Sequence, residues 1–227
     1  MLRLAALLSA LALPAHATCA ADAMLVFDGS ASMARIGGAT QGVSRMTEAR
    51  AALRRALPPV DGLRRLGLVT YGPGPEGSCE SVRLRFAPRA HGSNDVLEVI
   101  SSMRPLGRTP LTEAVARAAD VLNGPGEVVL VTDGNETCDG VPCALGDALA
   151  ARGGVTVHVI GFRMNDGPDP RRPGEITVLA GLPARCLADR TGGRFLTADT
   201  ADELSGALAA TLGCPLLGEA TRHREAG

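Results

Sequence analysis

The chain has 227 residues, of which 45% are hydrophobic and 21% are charged, and its 23 basic residues nearly balance its 24 acidic ones. Every basic residue is arginine, and the absence of lysine excludes Walker A nucleotide sites, Schiff-base chemistry and kinase-type phosphate contacts. A formal net charge of −1 and an aromatic content of 2% provide neither the basic surface nor the stacking side chains of a nucleic-acid-binding protein, so no nucleic-acid partner is expected.

The N-terminus has the pattern of a secretory signal peptide. Arg3 precedes an apolar run over residues 4–15, which ends in the small-residue sequence Ala15-His16-Ala17. This pattern predicts a signal peptide over 1–17, a mature domain over 18–214 and a flexible tail over 215–227. A buried first helix is the alternative. No later apolar stretch is long enough to cross a bilayer, so we expect an exported protein, periplasmic or secreted, without a membrane span in the mature chain.

Strands and helices alternate along the rest of the chain. Strands are predicted at residues 24–27, 66–71, 81–86, 128–132, 155–162 and 194–196. Helices are predicted at residues 46–57, 94–103, 111–122 and 143–151, in a segment ending near residue 190, and at 201–212. Such alternation predicts one α/β domain with a mainly parallel sheet and helices on both faces. The short Gly/Pro-rich turn between the second and third strands predicts that these two form an antiparallel hairpin.

Oxygen-bearing side chains follow two of the predicted strands. The first strand ends in a D-x-S-x-S pattern, with Asp28, Ser30 and Ser32, and the fourth ends in Thr-Asp-Gly, with Asp133. Between them in the chain, Thr109 precedes a predicted helix. Each piece alone is typical of a turn or a helix cap. Together, at strand ends of this fold, they favour a site for Mg²⁺, which prefers hard oxygen ligands.

Three segments resemble the von Willebrand factor A domain with its metal-ion-dependent adhesion site: DGSAS at 28–32, GRTPL at 107–111 and TDG at 132–134. The segment TDGNETC at 132–138, with VHVIGF and TGGRF later in the chain, is similar to a bacterial exported subgroup of that family. The resemblance implies a Rossmann-like, three-layer domain whose mostly parallel six-stranded sheet has one antiparallel edge strand. One departure is that Ala31 stands where glycine is common.

The resemblance also implies a function. Ser30, Ser32 and Thr109 would bind the cation directly, whereas Asp28 and Asp133 would act largely through water. The cation would be Mg²⁺, with Mn²⁺ or Ca²⁺ as alternatives, and an Asp or Glu carboxylate of a protein partner would complete its coordination. We therefore expect an adhesion or protein-interaction module rather than an enzyme.

Two alternatives remain open at this point: an envelope scaffold that works without metal and, less favoured, a metal-assisted hydrolase. The chain has no G-x-S-x-G nucleophile elbow, which disfavours the hydrolase. The G-x-G-x-x-G match at 72–77 leads into a predicted strand rather than a helix, so it is interpreted as a hairpin loop and not a phosphate site.

The six cysteines are Cys19, Cys79, Cys138, Cys143, Cys186 and Cys214. In an exported protein an even number of cysteines indicates disulfides rather than a metal cluster. We expect a Cys138–Cys143 bridge that closes a small loop beside Asp133, and a bridge between Cys19 and Cys214 because chain ends often lie close together. Elimination leaves Cys79 with Cys186, for which free thiols are the alternative.

Overall fold

The computed structural model describes residues 21–36, 42–164 and 182–213. Its strands are β1 (Asp22–Asp28), β2 (Leu66–Tyr71), β3 (Arg83–Arg89), β4 (Gly126–Thr132), β5 (Val155–Phe162) and β6 (Phe195–Ala198). Its helices are α1 (Arg45–Ala56), α2 (Gly92–Ser102), α3 (Leu111–Leu122), α4 (Pro142–Arg152), α5 (Leu182–Thr191) and α6 (Ala201–Leu212), and a single 3-10 turn covers Ala31–Ala34.

The strands form one six-stranded sheet in the order β3-β2-β1-β4-β5-β6. All neighbouring pairs are parallel except β2 with β3, which is antiparallel at the edge. The predicted sheet and the predicted hairpin are therefore confirmed. β3 exposes three arginines to solvent, Arg83, Arg85 and Arg89.

Helices cover both faces of the sheet because side chains alternate along each strand. On one face, Leu25 and Phe27 of β1 pack with residues of α1, α2 and α6. On the other face, Met24 and Val26 of the same strand pack with residues of α3, α4 and α5. A strand buried on both faces needs a continuous apolar sequence, which explains the run Met24-Leu25-Val26-Phe27. The result is the expected three-layer domain.

The element ends differ from the prediction by about two residues. β3 begins at Arg83 instead of residue 81, because the Ser81 hydroxyl turns inward and accepts a hydrogen bond from the Gly72 amide at 3.0 Å. The predicted signal peptide, Cys19, Cys214 and the predicted tail lie outside the described residues. None of the helices in the described ranges is long and apolar enough to span a bilayer.

Two disulfides correct the predicted pairing. Cys79 is bonded to Cys138, and Cys143 is bonded to Cys186, so the Cys138–Cys143 and Cys79–Cys186 pairs were wrong. Cys143 lies in the first turn of α4, from which its side chain reaches α5. Cys138 lies in the loop before this helix and turns towards the loop between β2 and β3. Cys138 and Cys143 are close in the sequence, but their side chains point in opposite directions, which the spacing alone does not reveal. Every cysteine within the described ranges is paired.

Candidate metal centre

The predicted ligands lie at the carboxyl edge of the sheet, where β1 and β4 run side by side. This pair is parallel, with Phe27 opposite Val131, so Asp28 and Thr132, which follow them, reach the edge together. Open parallel sheets bind ligands at this edge because the loops that follow the strands converge there. The register therefore places both predicted carboxylates at neighbouring strand ends, with Asp28 as the last residue of β1 and Asp133 directly after β4.

Asp28 is fully buried and accepts hydrogen bonds on both carboxylate oxygens. Its Oδ1 accepts the Ser30 amide at 2.8 Å, and its Oδ2 accepts the Thr132 hydroxyl at 2.7 Å. The Asp133 amide lies 3.4 Å from the same Oδ2. A buried carboxylate requires such donors to offset the loss of water. Asp28 thus ties the loop after β1 to the loop after β4.

Two serines connect the carboxylates. The hydroxyl oxygens of Ser30 and Ser32 are 2.9 Å apart, and the Ser32 hydroxyl donates to Oδ1 of Asp133 at 2.6 Å. Because Ser32 has a single hydroxyl hydrogen and donates it to Asp133, the Ser30 hydroxyl is the donor to Ser32. The structure therefore joins four of the five predicted ligands, Asp28, Ser30, Ser32 and Asp133, in one hydrogen-bond network.

Thr109, the fifth predicted ligand, is brought to this edge by the backbone of its loop. The Ala31 amide donates to the carbonyl oxygen of Gly107 at 3.1 Å. Gly107 has a φ of +81°, and a Cβ there would lie 2.4 Å from the carbonyl oxygen of Gly72, so this close approach requires glycine. The Thr109 side chain is nearly buried. No hydrogen bond among the described residues joins its hydroxyl to the other four predicted ligands.

The loop after β4 holds Thr109 through contacts that the sequence did not indicate. The Thr109 amide donates to the Thr137 hydroxyl at 2.8 Å, and the Thr137 amide donates to the Thr109 carbonyl at 3.1 Å. Next to it, Glu136 accepts the Thr112 amide of α3 and the Cys138 amide, both at 2.8 Å. Glu136 therefore supports the first turn of α3. No local signal could have found this contact, since Thr112 is 24 residues away in the chain.

Arg45 is a charged residue of this site that the sequence analysis missed. It is the first residue of α1, and its side chain is 7% exposed. Its Nη1 donates to Oδ2 of Asp133 at 2.7 Å. The two oxygens of Asp133 are thus divided between Ser32 and Arg45. An arginine at the start of an amphipathic helix is typical of the solvent-facing side, so its position gave no sign of burial.

The electrostatic environment acts on the buried acids. Burial and then repulsion from Asp28 raise the pKa of the Asp133 carboxyl to about 6, although Arg45 and the hydrogen bond from Ser32 act in the opposite direction. Burial, followed by the charge of Asp28, also raises the pKa of the Tyr71 phenol well above its ordinary value. Burial is the first cause of both shifts and the negative charge of Asp28 is the second.

The donor set fits a hard divalent cation. Adjacent corners of a Mg²⁺ octahedron with metal–oxygen distances near 2.1 Å lie about 3 Å apart, and the Ser30 and Ser32 hydroxyl oxygens are 2.9 Å apart. Within the described ranges, no group of three or more His, Cys, Asp or Glu residues is placed to hold a metal. Any cation bound at this edge would therefore depend on hydroxyl oxygens as well as carboxylates.

Comparison with known proteins agrees with the fold. Residues 23–136 match the model of the von Willebrand factor type A domain. The uncharacterized protein YwmC of Bacillus subtilis (strain 168) is 28% identical over 159 residues, which cover 65% of this chain and 68% of YwmC.

Two solved structures share the architecture at low sequence identity. An aerotolerance-related membrane protein from Bacteroides fragilis NCTC 9343 superposes with a TM-score of 0.62 at 17% identity, over 85% of this chain and 98% of that one. The pilus adhesin SpaC from Lactobacillus rhamnosus GG superposes with a TM-score of 0.63 at 16% identity, over 85% of this chain and 30% of the adhesin. At such identities the similarity establishes the fold.

Proposed function

The chain belongs to the von Willebrand factor type A domain family, and on this premise we propose that it binds a divalent cation and uses it to capture an acidic group of a protein partner. The cation is Mg²⁺, with Mn²⁺ or Ca²⁺ as substitutes, and its site consists of Asp28, Ser30, Ser32, Thr109 and Asp133. The observation that carries the proposal is the hydrogen-bond network from Ser30 through Ser32 to Asp133.

Each residue of the site has a part in holding the cation. Ser30, Ser32 and Thr109 offer neutral hydroxyl oxygens as direct ligands, while Asp28 and Asp133 orient the loops and supply negative charge behind them. Neutral ligands leave most of the positive charge of the ion uncompensated, so that the bound cation supplies an electrophilic position for a carboxylate. Asp28 keeps the Ser30 amide in place, and Asp133 keeps the Ser32 hydroxyl in place.

A protein partner is supported by the identities of two similar structures. One is a pilus adhesin and another is a minor pilin of Streptococcus sanguinis, which superposes with a TM-score of 0.62 at 16% identity. Attachment of one protein to another is the activity that such names suggest. For this chain, protein–protein interaction through the metal-binding edge is the corresponding proposal.

Export supports the same function. The two disulfides, Cys79–Cys138 and Cys143–Cys186, form and persist in oxidising compartments. The signal-peptide pattern of the N-terminus leads to the same compartment. We place the protein outside the cytoplasm, in the periplasm or secreted, where partners on an envelope or another cell are accessible.

A binding role is favoured over catalysis. A hydrolase at this edge would need a nucleophile next to a general base. The described histidines are engaged elsewhere: His91 pairs with Asp61 at 2.9 Å, and His158 accepts the Arg194 amide on its Nδ1 at 3.1 Å. The Ser32 hydroxyl donates to Asp133, but this carboxylate is also paired with Arg45, which weakens it as a base.

Calorimetric titration with MgCl₂ or MnCl₂ tests the metal site. Ser30→Ala removes one hydroxyl ligand while leaving the donors to Asp28 in place, so we expect cation affinity to fall by at least about tenfold, the loss expected for one ligand. Ser101→Ala is the matched control, because this exposed serine on α2 only bonds the Glu98 carbonyl of its own helix. It should bind like the unmodified protein.

Two results would count against the proposal. Equal cation affinity in the Ser30→Ala and Ser101→Ala variants would refute the metal site. Capture of a protein partner that persists unchanged in excess chelator would instead support the scaffold that works without metal.

A further inference from the structure

A cleft lies beside the candidate metal centre. Its volume is about 490 Å³, within the range of about 300–1,000 Å³ that is usual for ligand sites. Two of its lining residues, Pro73 and Leu106, contact the loop after β1. The Leu106 amide donates to the Gly29 carbonyl at 3.0 Å, and a Cβ on Gly29 would lie 2.7 Å from the Pro73 ring. Because Gly29 separates Asp28 from Ser30 in the chain, the cleft borders the metal centre.

The lining of this cleft combines apolar side chains, such as Val99 and Met103, with two arginines and contains no acidic residue. Arg85 lies on β3 and Arg104 on the segment between α2 and α3, and both are exposed. Arg85 donates from its Nε to the Thr70 hydroxyl at 2.8 Å. Neither guanidinium is paired with an acid in the part of the chain that the structure describes. Charge complementarity therefore favours an acidic occupant.

The segment that carries Arg104 is held in place at both ends. Arg50 of α1 donates from its Nε to the Ile100 carbonyl at 3.0 Å and from its Nη2 to the Met103 carbonyl. The hydrogen bond of the Leu106 amide fixes the other end to the loop after β1. Groups on a fixed backbone lose less conformational freedom on binding than groups on a mobile one.

A second cleft adjoins the first. Its volume is about 540 Å³, it also includes Arg104, and it has no acidic residue in its lining. It reaches Ala34, the last residue of the 3-10 turn that contains Ser32. The two clefts thus form one surface next to the metal centre, with Arg104 in both.

We infer that the cleft with Arg85 and Arg104 binds a second acidic side chain of the protein partner, a few residues from the carboxylate that binds the cation. The inference rests on the proposed function and deepens it, because the partner becomes an acidic segment instead of a single carboxylate. An extended segment advances by about 3.3 Å per residue, so nearby acidic side chains reach both places. Two linked contacts give a higher affinity than either contact alone.

A fluorescently labelled hexaglutamate peptide is the probe, and its binding is followed by fluorescence anisotropy at low ionic strength. One titration is made in chelator, where the cleft acts without the cation. The other is made in Mn²⁺, with the free ion corrected for complexation by the peptide. We expect weak binding in chelator and at least about tenfold tighter binding in Mn²⁺. Hexaglutamine, which has no charge, should bind in neither.

The double variant Arg85→Gln/Arg104→Gln tests the cleft. We expect its affinity for hexaglutamate in Mn²⁺ to fall about tenfold, since one exposed ion pair contributes up to about fivefold. Its affinity for Mn²⁺ alone should stay unchanged. Arg85→Lys/Arg104→Lys keeps both charges and should retain most of the binding. Arg54→Gln/Arg117→Gln is the matched control, because it removes two exposed arginines that line neither cleft. All these variants should melt like the unmodified protein.

The inference and the proposed function fail in different ways. Binding that Mn²⁺ strengthens, but that is equal in the two glutamine double variants, overturns the role of the cleft and leaves the metal site intact. Binding that depends on Arg85 and Arg104 but not on Mn²⁺ supports the cleft and overturns the metal site. Absence of binding in both buffers overturns both.

Vesicles of phosphatidylglycerol test a different occupant. If the unmodified protein bound these vesicles but not hexaglutamate, and Arg85→Gln/Arg104→Gln bound neither, the cleft would hold a phosphate headgroup. That result would overturn the inference.

Discussion

At the scale of single residues, Asp133 links the contacts that define the site. Its carboxylate accepts the Ser32 hydroxyl on one oxygen and the Arg45 guanidinium on the other, and it is repelled by Asp28. The Asp133 side chain therefore orients the candidate ligand Ser32, forms the ion pair with Arg45 and adds negative charge beside Asp28. A change in the protonation of Asp133 therefore changes the whole site.

We expect cation affinity to decrease as the pH is lowered through about 6. The raised pKa of Asp133 means that the folded protein takes up a proton on this carboxyl as the pH falls through that value. A protonated carboxyl contributes no negative charge, so the proton and the cation compete. Among the described residues, the charge of Asp28 on β1 raises the pKa of this carboxyl and the charge of Arg45 on α1 lowers it. Calorimetric titrations across this range measure the effect.

The same titrations provide an internal check. In two buffers of different ionisation enthalpy, cation binding should release protons near the pKa of Asp133 and release none well above it. Constant affinity on both sides of pH 6, with no proton release, would exclude Asp133 as the competing group.

The residues of the site were predictable to different degrees. Asp28, Ser30, Ser32 and Asp133 were predicted from the sequence because each lies at or just after the end of a strand, and the ends of parallel strands meet at one edge of the sheet. Arg45 and Glu136 were not, because each meets its partner across a large sequence separation, 88 residues for Arg45 with Asp133 and 24 for Glu136 with Thr112. Contacts between distant loops depend on the assembled sheet.

At the scale of elements, the N-terminus of α3 depends on a side chain from another loop. Glu136 accepts the Thr112 amide of the first turn and the Cys138 amide, while the residue before the helix, Pro110, offers no capping side chain. A carboxylate next to free amides at the start of a helix is favourable. Because Thr109 lies two residues before this turn, we expect the contact to affect the proposed metal site as well.

Glu136→Gln should lower the free energy of unfolding by about 1–2 kcal/mol, because a charged acceptor of two amides becomes a neutral one. We also expect weaker cation binding, since weaker hydrogen bonds from the Thr112 and Cys138 amides to residue 136 would hold the loop around Thr109 less firmly. Urea denaturation measures the first effect and calorimetry measures the second.

Glu113→Gln is the control for that prediction. Glu113 also lies in the first turn of α3 but is exposed, so its substitution should change the stability by a few tenths of a kcal/mol and leave cation binding intact. If Glu136→Gln and Glu113→Gln lowered the free energy of unfolding equally, only the negative charge near the helix N-terminus would matter, and not the hydrogen bonds that Glu136 accepts.

Helices and strands were predicted well in type and less well at their ends. Long apolar runs such as 128–132 specify a buried strand whatever surrounds them. The start of β3 was misplaced because Ser81 is committed to a hydrogen bond within the loop, and alternation of polar and apolar residues alone does not report such a contact.

At the scale of the whole molecule, each disulfide joins segments that the sheet alone would leave independent. Cys79–Cys138 connects the loop between β2 and β3 to the loop after β4, and Cys143–Cys186 connects α4 to α5. The bridged residues are 59 and 43 positions apart. Closing loops of this length restricts the unfolded chain. The parallel sheet followed from the alternation of elements, but the pairing of cysteines required the folded arrangement of loops.

We expect the two disulfides to contribute similarly to stability and differently to the site. Replacing either pair by serines should lower the free energy of unfolding by about 2–4 kcal/mol. Only the Cys79→Ser/Cys138→Ser variant should also lose cation affinity, because Cys138 follows Thr137, which holds Thr109. Thermal melts and calorimetry on both double variants measure these effects. Equal loss of affinity in the two would contradict a local role for Cys79–Cys138.

The two outer strands of the sheet have a consequence for behaviour at high concentration. An unpaired strand edge is a template on which further chains can assemble into β-aggregates, and proteins block it with charge, proline or short length. β3 presents exposed Arg83, Arg85 and Arg89 and contains Pro88, and at the other edge β6 is only four residues long. Repulsion between the arginines of β3 and the few backbone groups that β6 offers for pairing should therefore keep copies of this chain from assembling edge to edge at high concentration.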